Sequence, residues 1–156
     1  MQARLITIGL LLVASLTSGG IPNHSQDQNG SQAVHGPDIN EKRLAVNLVR
    51  VINTAEMSYS AKDGGSFAEW DALSVSQGFK QAIDDFSHNS PKLKDLNVGA
   101  PADIMPGWRL RLTVSSDKKS YAVAVSNTSD KECSYALVSD EEGVIREARM
   151  LGCPKG

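Results

Sequence analysis

Apolar residues recur at three- and four-residue steps between Asp38 and Ala61, a spacing that places them on one face of an α-helix. Asp38 followed by Glu41 has the spacing of a capping box and predicts the helix start. The pair Gly64-Gly65 predicts its end. The predicted buried face consists of Leu44, Leu48, Ile52 (with Val51 beside it), Ala55 and Tyr59. A single apolar stripe predicts packing against a wide, flat surface, most simply a β-sheet.

The polar residues of this helix are expected on its other sides, facing solvent. They are Lys42, Arg43, Asn47, Arg50, Asn53 and Glu56.

The last third of the chain alternates between apolar and polar residues, which predicts strands with one covered face. The first strand begins at Trp108, the second contains Tyr121 to Val125, the third spans 133–140 and the fourth 143–149. The predicted core positions on the first two strands are Trp108, Leu110, Leu112, Tyr121 and Val123. The predicted fold class is α+β, with one long N-terminal amphipathic helix packed on a four-stranded antiparallel meander.

The connection between helix and sheet is predicted to be irregular and partly helical. Ser66 and Glu69 form a second capping-box pattern, which predicts a short helix starting at Ser66. Phe79, Ile83 and Phe86 indicate a further helical turn or two. Prolines later in this section predict a loop before the first strand.

The N-terminal region differs in composition from the rest. Residues 1–20 begin with a short basic segment, continue with an apolar run from Leu5 to Leu16 and end in small residues. This is the order of a secretory signal peptide. The run is shorter than the roughly 17–25 residues of a membrane-spanning helix, so no stable membrane span is expected. Residues 21–37 are rich in Asn, Gln, Ser and Gly, which predicts a flexible polar tether. Residues 38–156 are expected to form one globular domain, exported to the periplasm or outside the cell.

Export agrees with the use of cysteine. Cys133 and Cys153 are the only two cysteines, and an oxidising compartment favours a disulfide between them. Their spacing is not the close pair of a redox motif, so a structural bond stabilising the fold by roughly 3 kcal/mol is expected.

The helix and the late strands resemble the globular head of type IV pilins and pseudopilins. The resemblance rests on LVRVINTAE (Leu48 to Glu56), Tyr59 and Gly64-Gly65, and on YALVSDEEGVIR (Tyr135 to Arg146). A bacterial pilin-like group has a similar helix run and a similar late strand pair. The resemblance implies a helix-on-meander head that works through contacts with other proteins.

The region before the head departs from the pilin pattern. Prepilins have a glycine followed by Phe-Thr-Leu-Ile-Glu or a close variant, and then a long apolar helix that polymerises the subunits. Here Gly19-Gly20 is followed by Ile21-Pro22-Asn23. The chain is therefore expected to lack the prepilin cleavage motif and the polymerising helix, and to act as a pilin-like module outside the filament.

Candidate chemistry in the sequence is sparse. His88 is the one histidine in the predicted domain, with Ser87 and Ser90 as neighbours, a weak basis for a hydrolase. Asp84-Asp85 and 140–142 are adjacent carboxylates that lack the alternation of a calcium loop. His24 and His35 lie within the tether and are expected to be solvated. No catalytic residue, metal or cofactor is therefore predicted.

The overall charge and the remaining motifs define the expected partners. The formal net charge is −2, which gives no general electrostatic attraction to nucleic acid. Arg109 and Arg111 lie on the opposite strand face from Trp108, so stacking beside these arginines is not expected. The function predicted is a non-catalytic exported domain that binds another protein, with pili or a type II-like secretion apparatus as its setting. The alternative is a small-ligand or metal-ion binding module of the cell envelope, which would need a pocket under the loop 79–106.

Overall fold

The computed structural model of the protein describes residues 38–129 and 134–149. The elements in chain order are α1 Ile39–Lys62, α2 Trp70–Val75, α3 Gln77–Ser87, two 3-10 helices at Pro91–Asp95 and Pro101–Asp103, and strands β1 Trp108–Val114, β2 Tyr121–Asn127, β3 Tyr135–Asp140 and β4 Arg146–Arg149. The predicted signal peptide 1–20, the tether 21–37 and both cysteines, Cys133 and Cys153, lie outside the described residues.

Helix α1 begins where the sequence predicts. The side chain of Asp38 accepts a hydrogen bond from the backbone N–H of Asn40, which satisfies one of the free donors of the first turn. Within the described part of the chain, no helix is both long and apolar enough to cross a membrane.

The four strands form one antiparallel sheet in the order β1-β2-β3-β4, so each strand pairs with the next one along the chain. Leu110 lies opposite Val125, and Val125 lies opposite Leu137, which aligns buried residues of three strands on one face. Helix α1 contacts β2 and β3. The prediction of an α+β fold with a four-stranded antiparallel sheet is confirmed.

The hydrophobic core lies where α1, the connecting segment and the sheet meet. Of the residues predicted for this core, seven are buried: Leu48, Ile52, Ala55, Trp108, Leu110, Tyr121 and Val123. The other three are partly buried and pack against the core: Leu44, Tyr59 and Leu112.

Two residues predicted to face solvent are buried instead. Glu56 is 0% exposed and Asn47 is 6% exposed. The prediction assumed one covered face, whereas α1 contacts α3 as well as the sheet. Asn47 lies on this second side and donates a hydrogen bond to the hydroxyl of Ser90. The buried arc of the helix is therefore wider than the apolar stripe indicates.

The predicted helix start at Ser66 is wrong, because α2 begins at Trp70. The backbone N–H groups of Phe67 and Ala68 bond to Lys118 and Glu56, in other parts of the fold, which holds this stretch outside a helix. The fourth strand also starts later than predicted, at Arg146. Gly143 has a φ of 73° and its N–H donates to the carbonyl of Asp140, so it belongs to the preceding turn.

Candidate functional site

Asn53 joins α1 to two neighbouring strands of the sheet. Its side-chain carbonyl accepts a hydrogen bond from the hydroxyl of Tyr121 at 3.0 Å, and its amide donates to the hydroxyl of Ser139 at 2.9 Å. The same amide lies 3.4 Å from the carbonyl oxygen of Gly143. Both ends of the side chain are therefore bonded, which fixes the helix relative to β2, β3 and the turn after β3.

Glu56 lies one turn further along α1 and contacts a different part of the fold. Its Oε2 accepts a hydrogen bond from the backbone N–H of Ala68 at 3.0 Å. Its Oε1 is buried and has no hydrogen-bond partner among the described residues. Burial raises the pKa of Glu56 to about 7; the N–H of Ala68 opposes this rise, and the negative charge of Glu69 adds to it.

Tyr121 and Phe67 complete this junction between helix and sheet. Their rings meet edge to face with centroids 4.8 Å apart. Burial raises the pKa of Tyr121, and the negative charges of Glu56, Asp140 and Glu141 raise it further, so its hydroxyl stays a donor to Asn53.

The sequence pattern placed Asn53 and Glu56 on the solvent side of the helix and so missed this junction. The available signal was their position: each directly adjoins a core residue, Ile52 or Ala55. A polar side chain at such a border reaches past the apolar stripe toward whatever packs beside it.

A groove of about 370 Å³ lies between the first turns of α1, the first 3-10 helix and the entrance to β1. Its apolar lining consists of Leu44, Leu96, Met105, Pro106 and Trp108. The charged residues Glu41, Lys92 and Asp95 also line it, and all three are exposed. An apolar interior with a charged border is the usual composition of a binding surface.

A second, more polar depression of about 420 Å³ adjoins this groove. The two share Glu41, Leu44 and Lys92, and the second continues past Asp38 at the start of α1 and Ser90 before the first 3-10 helix. Together they follow the first two turns of the helix.

Trp108 lines the groove and carries a buried polar atom without a partner. The residue is 2% exposed, and its indole N–H has no acceptor among the described residues. Its ring packs edge to face against Tyr135, with centroids 6.1 Å apart. A buried donor without an acceptor costs free energy.

The structure does not bring the residues around His88 together as a catalytic group. His88 is exposed, and its Nδ1 lies 3.2 Å from the carbonyl oxygen of Asp85. The hydroxyl of Ser87 donates to the carbonyl of Asp84, and the hydroxyl of Ser90 accepts from Asn47. The hydroxyls of these serines are thus bonded to groups other than the imidazole.

Three of these adjacent carboxylates, Asp84, Asp140 and Glu142, are paired with cations of the protein. Arg146 contacts Asp140 at 3.0 Å and Glu142 at 3.2 Å, and Asp84 lies 3.8 Å from the ammonium of Lys94. Over residues 38–129 and 134–149, no group of three or more His, Cys, Asp or Glu side chains is arranged to hold a metal ion.

The fold and these two sites define an α+β domain with a polar junction between helix and sheet and a groove beside the helix start. No protein-family model, curated protein or solved structure matches the chain. The resemblance to pilin heads therefore rests on the sequence segments alone and stays a prediction.

Proposed function

We propose that the protein is a non-catalytic, exported domain of pilin-like fold that binds another protein through the groove beside α1. Its setting is a pilus or a type II-like secretion apparatus. Export is proposed from residues 1–20, whose order of basic, apolar and small residues is that of a signal peptide.

The observation that carries the proposal is the groove. It is built by α1, by segment 91–106 of the connection and by Trp108 at the start of β1. Its apolar lining and exposed charged border match the centre and rim of a protein interface.

The partner is expected to insert one apolar side chain between Leu44 and Leu96. Lys92 and Asp95, both on the first 3-10 helix, offer both signs of charge to the flanking residues of the partner.

The pilin-like part of the proposal is supported by the segment that carries the resemblance. Asn53 and Glu56 of the INTAE run each make a hydrogen bond across to another element, to Tyr121 and Ala68 respectively. These hydrogen bonds hold the helix against the rest of the domain. They give a structural reason for the same run to occur in other domains in which a helix packs on a meander.

A small-ligand binding module is the second candidate, favoured by the size of the groove. A volume of about 370 Å³ lies within the range of roughly 300–1,000 Å³ usual for small-molecule sites. An amphipathic molecule with one hydrogen-bond acceptor would suit the same lining.

Site-specific photocrosslinking in the native host tests the proposal. A photoreactive amino acid at Leu96 should give a discrete protein adduct, and one at Ala124, on the strand face turned away from α1, should not. Lys92→Glu, an exposed change at the border, should weaken the adduct, whereas Lys80→Glu on α3 should not. Mass spectrometry of the adduct then tests the pilus or secretion setting.

Other outcomes separate the candidates. The absence of an adduct, together with a small molecule retained by the protein in native mass spectrometry, would favour the ligand-binding module. Equal adducts from Leu96 and Ala124 would contradict a specific role for the groove.

A further inference from the structure

Residues Ser66–Glu69 cross from the end of α1 to the start of α2 as an irregular segment, here named the strap. Two glycines precede it, Gly64 with a φ of 64° and Gly65 with a φ of 83°. Trp70 follows it, and the Trp70 indole donates to the carbonyl of Val98 at 3.0 Å. The strap thus has a glycine pair in the left-handed region at one end and an anchored residue at the other.

Two backbone hydrogen bonds and the packing of Phe67 and Ala68 in the hydrophobic core hold the strap against the rest of the fold. The N–H of Phe67 donates to the carbonyl of Lys118 at 2.9 Å, and the Phe67 ring packs against Tyr121. The N–H of Ala68 donates to Glu56. Phe67 and Ala68 are 8% and 3% exposed, so the closed strap covers apolar surface.

The carboxyl of Glu56 is in an environment that favours its neutral form. It is fully buried and accepts one backbone hydrogen bond, and among the described residues it makes no ion pair. An ionised carboxylate in such a place loses its hydration without a compensating charge, whereas the neutral acid loses much less.

The charged and titratable groups around Glu56 do not reverse this preference. On the strap, Glu69 is negative and disfavours ionisation. On β2, the hydroxyl of Tyr121 donates to Asn53, and the negative charges of Asp140 and Glu141 act on Tyr121. In the turn before β2, the ammonium of Lys119 donates to the carbonyls of Gly64 and Gly65.

We propose that the strap is a pH-sensitive closure, held shut while the Glu56 carboxyl is protonated and released when that carboxyl ionises. The ionised carboxylate of Glu56 is more stable in water than in the buried site. It becomes hydrated when the strap moves away from α1 by backbone rotation at Gly64 and Gly65. Opening exposes Phe67 and Tyr121, an aromatic surface separate from the groove beside α1. This inference goes beyond the proposed binding function and does not depend on it.

Hydrogen exchange of single backbone amides in the full chain, followed by NMR from pH 5 to pH 8, tests the closure. The pKa of Glu56 is about 7 in the closed state, against an ordinary value of 4.5. The equilibrium constant for opening of the strap should therefore rise about tenfold for each pH unit between these two values. The protection factor of Ala68, corrected for intrinsic exchange, should fall roughly a hundredfold from pH 5 to pH 7.5.

Three comparisons make the result decisive. The amide of Val123, in the centre of β2, should have a larger protection factor than Ala68 at every pH; equal protection factors would mean that Ala68 exchanges only by global unfolding and would overturn the closure. A constant protection factor for Ala68 in the native chain would also overturn it. In Glu56→Gln the pH dependence of Ala68 protection should vanish.

A second variant covers the case in which Glu56→Gln does not fold. Glu69→Gln, an exposed change on the strap, removes a negative charge that faces Glu56, so the fall in Ala68 protection should end at a lower pH. Glu41→Gln, at the far end of α1, should leave the profile unchanged. Identical profiles for Glu69→Gln and Glu41→Gln would contradict the role of Glu56 as the group that titrates.

Discussion

The side-chain oxygen of Asn53 on α1 lies 3.0 Å from the hydroxyl oxygen of Tyr121 on β2, a residue 68 positions further along the chain. Because the amide of the same Asn53 donates to Ser139 on β3, one helix residue is bonded to two adjacent strands. The position of the helix along the sheet is thus determined by hydrogen bonds in addition to apolar packing.

Asn53→Ala should lower the free energy of unfolding by about 1–3 kcal/mol, because the hydroxyls of Tyr121 and Ser139 lose a partner in a mostly buried place. Urea denaturation at constant pH measures the change. Thr54→Ala is the matched control, since Thr54 is the next residue of the same helix and is exposed; it should change stability by no more than about 0.5 kcal/mol. Equal losses for the two variants would contradict the role given to Asn53.

Glu56 should make the protein less stable as pH rises. Its pKa is about 7 in the folded chain, above the ordinary 4.5, so the folded state binds the proton more tightly than the unfolded state does. The resulting stabilisation is present below pH 4.5 and is lost as pH rises to 7. Each unit of pKa shift is equivalent to at most roughly 1.4 kcal/mol.

Denaturation curves of the native chain and of Glu56→Gln at several pH values test this dependence. Other carboxylates act in the opposite sense; Glu147, for example, has its pKa lowered, first by its hydrogen bond with Lys42. The informative quantity is therefore the stability difference between the two proteins. Between pH 5 and pH 7.5, the stability of Glu56→Gln should rise relative to that of the native chain. A stability difference that does not change with pH would contradict the raised pKa of Glu56.

Gly65→Ala should destabilise the protein by about 1 kcal/mol or more, because the left-handed backbone at this position is unfavourable for a residue with a Cβ atom. The φ of Gly65 is 83°, and an added Cβ would lie 3.6 Å from the ammonium nitrogen of Lys119. Gly99 is the matched control, since it has open space around it and its φ is not in the left-handed region. Thermal unfolding should show Gly99→Ala to be neutral or stabilising by up to about 1 kcal/mol.

Leu48→Ala should lower the free energy of unfolding by about 2–5 kcal/mol, because a fully buried leucine leaves a cavity when it is truncated. Met57→Ala on the same helix serves as the control, since Met57 is 56% exposed. Guanidinium denaturation of the two variants should separate them by at least about 1.5 kcal/mol; similar values would mean that the buried face of α1 has been misplaced.

The sheet was the most predictable part of the fold. Alternation from Trp108 and from Tyr121 matches the strands β1 and β2, because a sheet covered on one face imposes a two-residue period on its sequence. The start of β4 was less predictable. Val144 and Ile145 continue the strand-like composition, but the turn that closes at Gly143 delays the pairing until Arg146.

The polar junction was not predicted, and the reason is physical. The apolar–polar pattern distinguishes residues only by type, and Asn53 and Glu56 are polar types that usually face water. Their positions are determined by tertiary partners, Tyr121 on β2 and Ala68 in the segment after α1. The groove was predicted only as a requirement of the ligand-binding alternative, because it needs the tertiary approach of Leu96 and Met105 to Leu44.

The strand order has a consequence for how the chain folds. Since every pair in β1-β2-β3-β4 joins neighbours along the chain, the sheet can grow hairpin by hairpin with short loop closures. The contacts of α1 with β2 and β3 span a far longer stretch of chain, so docking of the helix is expected to come late in the folding reaction. Changes on the buried face of α1 should then act mainly by speeding unfolding, with the refolding rate nearly unchanged.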